Sequence, residues 1–137
     1  MQIGFYKENQ LQKVSLLEGK TSDTLLPFLE ETFKVYKINK IIYTNGPGSY
    51  MATKITYVLL KTLQIIKDIE LEAVDAFSLN ENKPIKALGK LYFVKEKENI
   101  ITKKFDETIE QVFFMPKRLE NLQYSKTIQP QYFIGAV

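Results

Sequence analysis

Lys40-Ile41-Ile42-Tyr43-Thr44-Asn45-Gly46-Pro47-Gly48-Ser49-Tyr50 decides how this chain folds. A short, β-branched apolar run stops at a Gly-Pro-Gly turn, and a helical pattern begins at Ser49 and continues to about Lys67. Gly46 and Gly48 can take backbone angles closed to other residues. Pro47 fixes its φ and lacks an N–H, so it suits a turn and not a ladder. Ser49 is a good N-cap for the helix behind it. The spacing predicts a buried strand over 40–44, a tight structural turn at Gly46, Pro47, Gly48 and Ser49, and a long helix.

Outward from that corner, residues 2–6 and 11–17 read as a hairpin with a four-residue polar connection. Ser22 or Asp23 is placed to cap a helix over 24–36, with Leu26, Leu29, Phe33 and Tyr36 as its inward face and Pro27 in its first turn. Residues 69–74 form a further strand, and 75–79 a turn or one short helical turn. Residues 88–95 and 100–105 make a second hairpin. Residues 106–111 are expected to be helical for a turn or two, 112–115 a short strand or an extended docking segment, and 131–134 extended. The order β-β-α-β-α-β with a β-rich tail predicts a mixed sheet with helices packed on it, and a right-handed parallel crossover over 40–74.

Composition removes much chemistry. With 137 residues, 45% hydrophobic and 26% charged, the chain has the make-up of a globular domain. It contains no Cys and no His. Disulfides, thiolate metal sites, Ser-His-Asp and Cys-His arrangements and imidazole acid–base work are therefore excluded. The acidic neighbours Glu30-Glu31 and Asp106-Glu107 would diverge on a helix and form a solvated face. Asp75, at the end of a predicted strand, is a lone carboxylate. A formal net charge of +3 is too small to argue for nucleic-acid binding by itself, and the late lysines suit exposed strand edges. With no long apolar run and no signal peptide read at the N-terminus, the expected location is the cytoplasm.

The second helix carries more apolar surface than one core needs. Met51, Ile55, Val58, Leu59 and Ile66 fall on one side and are expected to pack on the sheet. Tyr50, Thr53, Tyr57, Leu60 and Gln64 recur on roughly the opposite side, interrupted only by Lys54 and Lys61 at the flank. Phe28, Thr32 and Val35 form a weaker second face on the first helix. These eight residues are the candidate protein interface. The alternative is that the chain's own C-terminal segment covers them.

At the corner the sequence resembles a family signature. Gly46-Pro47-Gly48-Ser49-Tyr50, between a strand and a long helix, resembles the GPGSF turn of the TsaB (YeaZ) family. Ser22-Asp23-Thr24-Leu25-Leu26-Pro27 resembles its H-S-E-x-L-L-P helix start. The run from Leu71 to Leu79 resembles its G-V-S-S-L segment, and Gln129-Pro130-Gln131-Tyr132 its P-x-Y-L. The likeness is good over 2–79 and poor beyond. It implies an actin-like ATPase-domain (RNase H-like) fold, with an α/β core over 1–80 and a reduced β-rich portion of the same domain over 81–137, a truncated second lobe. It implies a non-catalytic subunit in making N6-threonylcarbamoyladenosine at position 37 of tRNA. Such a subunit pairs with TsaD through the first two helices, and TsaE joins the pair. tRNA is met only through the complex, and ATP/ADP and metal belong to the partner or the complex interface. When the partner is missing, a homodimer through such a patch and a monomer both stay open.

Three departures bear on this. The chain reads as starting at the family's second strand, without the I-D-T-S-like phosphate loop. Met51-Ala52-Thr53-Lys54 replaces T-G-x-R, and Lys54 lacks the bidentate fork of Arg. The second half is short. All three favour a scaffold over nucleotide binding. A small nucleotide-binding actin-like enzyme, using Gly-Pro-Gly-Ser as a phosphate cradle, stays open as the alternative, and a direct tRNA-binding module is a third reading.

Overall fold

The computed structural model describes residues 1–131. β1 (Gln2–Lys7) and β2 (Gln10–Leu16) form an antiparallel hairpin, followed by α1 (Thr21–Val35). Next come β3 (Lys40–Thr44), α2 (Tyr50–Lys67) and β4 (Glu70–Val74), with β3 and β4 paired in parallel, as the crossover predicts. A 3₁₀ turn (Ala76–Leu79) leads into β5 (Ile85–Leu88), β6 (Leu91–Glu96) and β7 (Asn99–Lys104), an antiparallel meander. The chain is mixed α/β, but its strands form three small sheets of two, two and three strands among the described residues, instead of one mixed sheet.

Several local expectations are corrected. The first connection is two residues, Glu8-Asn9, both at positive φ, the geometry that matches strand twist in a tight hairpin. α1 starts at Thr21, so Ser22 and Asp23 lie inside it, and Lys20 occupies the N-cap position without a side-chain cap. Pro27 therefore sits past the first turn, inside the helix. On α1, Leu25 and Leu29 are buried and Phe33, as expected, packs against the same core together with Phe28, while Leu26 and Tyr36 are exposed. β3 buries only Tyr43, because a two-stranded sheet cannot bury both faces along its length. Leu88 ends a separate strand, and β6 begins after the Gly89-Lys90 turn. Residues 106–111 are not helical and 112–115 are not a strand. Of 131–134, all but Gln131 lie outside the described residues.

Two apolar clusters hold the chain. The first joins Leu25 and Leu29 of α1, Leu60 of α2, Tyr43 of β3 and Leu71 and Ala73 of β4, with Ile3, Phe28, Tyr57 and Ile128 packed against it. The second gathers Ala76, Phe77, Ile85 and Phe93 under the meander. Ile128 returns the late chain to the first cluster, so the division at residue 80 does not separate the cores.

The irregular stretch after β7 lies along the hairpin. Tyr6 Oη donates to Pro116 O at 2.5 Å, and Gln2 Nε2 donates to Phe113 O at 3.1 Å. Gly4 permits this approach. A Cβ there would lie 2.8 Å from the Tyr6 ring and 3.2 Å from Met115 Sδ. The ring is held in place by its bond to Pro116 O. Gly4→Ala is therefore expected to cost about 1–3 kcal/mol, read as a lower urea midpoint at unchanged m-value.

Candidate protein-docking site

α2 is anchored at both ends. Gly46 has φ +125°, open in practice only to glycine, and its carbonyl accepts from Ala76 N. The Gly46–Pro47 bond is cis. Ser49 is the N-cap, its Oγ accepting from Ala52 N at 3.4 Å, and Asp68 ends the helix in the left-handed region.

Asn45, between β3 and this turn, is fully buried and carries the corner. Its Nδ2 donates to Thr127 O at 3.0 Å and Gln129 O at 3.2 Å, and Ser125 Oγ donates to its Oδ1 at 3.2 Å. Its backbone N–H donates to Val74 O and its carbonyl accepts from Gln131 N. Tyr43 Oη donates to Ile128 O. The segment 124–131 is thus strapped over the corner by polar groups of β3 and its end. Sequence reading missed this knot, because Asn before Gly-Pro-Gly signals a turn and its partners are backbone carbonyls, which carry no side-chain signature.

The strap sets a pH response. Burial, and to a lesser degree the neighbouring Tyr57, push the Tyr43 phenol well above its ordinary value. A phenol that binds its proton more tightly when folded adds stability that is intact below the unfolded value of about 10 and is lost as pH rises beyond it. Alkaline unfolding is expected to set in above about pH 10. Tyr43→Phe should weaken the protein at pH 7 by about 1 kcal/mol and move the alkaline transition upward, measured by thermal melts across pH.

α2 has two apolar faces, and their assignment is reversed at most positions from the sequence expectation. Leu60 is 2% exposed, in the first core. Tyr57 packs there too, stacked on Tyr43 with ring centroids 6.3 Å apart. Thr53 and Gln64 are half-buried on that same side. Of the stripe expected to face the sheet, Leu59 packs against the core and Ile55 is half-buried, but Met51 is 65% exposed, Val58 54% and Ile66 69%, with Ile65 beside them at 75%. Lys54 and Lys61 run along one flank of it, and α2 contains no acidic residue. On α1, Phe28 packs on the core, Thr32 Oγ1 donates to Phe28 O, and Val35 is exposed. Of the eight residues expected at an interface, Leu60, Tyr57 and Phe28 belong to the chain's own core. Val35 and Tyr50 stay at the surface. Both faces repeat at three and four residues, so periodicity cannot choose between them; side-chain volume against Tyr43 and α1 does.

Asp75 Oδ1 accepts from Phe77 N and Oδ2 pairs with Lys95 Nζ at 2.7 Å, which occupies both oxygens. Beside it lies an open hollow of about 450 Å³ lined by Ser78, Asn82, Lys97 and Gln123 among others. Among the described residues no three acidic side chains gather as metal ligands would, and no helix is long and apolar enough to cross a membrane.

No family model, curated protein or solved structure matches the chain.

Proposed function

We propose that this chain is a non-catalytic docking subunit of actin-like fold, which binds TsaD through the outer face of α2 and supports threonylcarbamoyl transfer to tRNA in the cytoplasm. The observation that carries this reading is the bare stripe of Met51, Val58, Ile65 and Ile66 on a helix whose other face is already in the core. A contiguous exposed apolar row on a rigid helix is the usual signature of a protein-binding surface. Val35 and Tyr50 are exposed as well. The motif resemblance at Gly46-Pro47-Gly48-Ser49-Tyr50 names the partner. In this reading ATP/ADP and metal are held by TsaD or at the joint interface, TsaE joins the assembled pair, and tRNA is met through the complex. Size-exclusion chromatography of the purified chain with TsaD tests it. Co-elution as one complex is expected; separate monomers with and without nucleotide would refute it.

A further inference from the structure

We propose, on the reading that α2 is a docking face, that Lys54 and Lys61 select its partner: they fit the stripe to a helix of another protein that carries carboxylates along one side, and they disfavour a second copy of this chain.

The shape of the stripe suits a helix. Met51, Val58 and Ile65 recur every seven residues, and Ile55 and Thr62 stand four residues after the first two. Alternate steps of four and three keep one seam against a single partner helix. From residue 51 to 65 the seam runs about 21 Å, close to four turns. Ile55 is half-buried, and Met51, Val58, Thr62 and Ile65 are open to solvent. Thr62 Oγ1 donates to Val58 O at 2.8 Å, so its hydroxyl is satisfied within α2 itself.

Charge decides the chemistry of the partner. Lys54 and Lys61 are also seven residues apart and follow Met51 and Val58 by three, so both stand on the same side of the seam. Among the described residues neither forms an ion pair with a carboxylate. Lys61 Nζ donates to Gln64 Oε1 at 2.9 Å, a neutral acceptor that leaves its charge uncompensated. α2 supplies no acidic residue of its own. Positions that flank such a seam set partner choice and orientation.

A second copy fits poorly. Two α2 helices running in opposite directions about a two-fold axis at Val58 bring Met51 against Ile65, and each lysine row then faces its own kind, Lys54 beside Lys61 of the other copy. Four ammonium groups gather along one side of the contact. Two helices running the same way lay each lysine row beside the side of the other copy that carries Ile66, where α2 offers no carboxylate. A foreign helix with Glu or Asp opposite Lys54 and Lys61 turns the same two positions into ion pairs.

Reversing one charge tests this without the partner. Lys61→Glu makes the stripe self-complementary, because Lys54 then meets a carboxylate in the antiparallel pair. In sedimentation from low to high micromolar chain it should self-associate about tenfold more tightly than the parent. Lys54→Glu should do the same by symmetry, and serves if Lys61→Glu does not fold. Lys54→Glu/Lys61→Glu opposes like charges again and should return to the parent's behaviour. Against TsaD, that double variant should bind at least tenfold more weakly than the parent. Lys83→Glu/Lys86→Glu, an equal change of net charge on exposed residues away from α2, should bind within about twofold of it. Single reversals that self-associate no better than the parent, or a double variant that binds TsaD as the parent does, would overturn the proposal. A parent chain that does not bind TsaD at all sinks the docking reading instead, and the sedimentation series still judges the lysines.

Discussion

Asn45→Leu is expected to destabilise the fold by about 3–5 kcal/mol, the largest effect of any single polar replacement in the chain. Leucine is close in volume, so little cavity is made. The loss comes from hydrogen bonding. Asn45 is fully buried and its side chain serves Thr127 O, Gln129 O and Ser125 Oγ together. Each of these groups, left without its partner inside the protein, costs roughly 1–3 kcal/mol. Some recover water as the strap lifts, which holds the total below the sum. A domain of this size has only about 5–15 kcal/mol to lose. Asn45→Asp should be nearly as damaging, because it replaces the donor amide with a second acceptor facing two carbonyls. Chemical denaturation with fluorescence of the tyrosines reads the outcome. Hydrogen exchange should show amides of 124–131 opening before those of β3 and β4. A midpoint within 1 kcal/mol of the parent would show that the strap is dispensable.

The second large effect separates the two faces of α2. Val58→Glu places a carboxylate in the centre of the bare stripe. Val58 is 54% exposed, so the free chain should melt within about 0.5 kcal/mol of the parent. In a complex the charge would be desolvated without a partner, and affinity for TsaD should fall by about a hundredfold or more. Leu60→Ala does the opposite. Leu60 lies among Leu25, Leu29, Tyr43 and Leu71, and truncation there should cost about 2–5 kcal/mol of stability. Binding of the fraction that stays folded should be little changed. Calorimetric titration together with thermal melts distinguishes the two. If Val58→Glu binds as the parent does, the stripe is not the docking face.

The same contrast shows how far the amino acids alone could be read. The corner was legible almost to the residue. β-branched Ile41 and Ile42, the Gly-Pro-Gly break and the Ser49 cap are local signals, and each acts on the backbone within a few positions of itself. The two-residue turn at Glu8-Asn9 was blurred because left-handed geometry can be adopted by many polar residues. Within the irregular run from 105 to 118, residues 106–111 read locally as helix and 112–115 as a strand or an extended segment, and neither regular element forms. Its backbone is satisfied by distant groups, as Phe114 N by Leu79 O and Leu11 N by Lys117 O.

What the sequence determined by itself is the order of elements through β4, the corner that joins strand to helix, and the fact that α2 is apolar on two sides. These follow from steric limits on glycine and proline, from capping and from period. Which side of α2 faces inward was decided only in three dimensions, where Tyr43 and α1 offer a surface that Tyr57 and Leu60 fill, leaving Met51, Val58, Ile65 and Ile66 outside. The strap on Asn45 belongs to the same category. Bonds to carbonyls some eighty positions away exist only once the chain has closed on itself, because the carbonyl is common to every residue and its position to none.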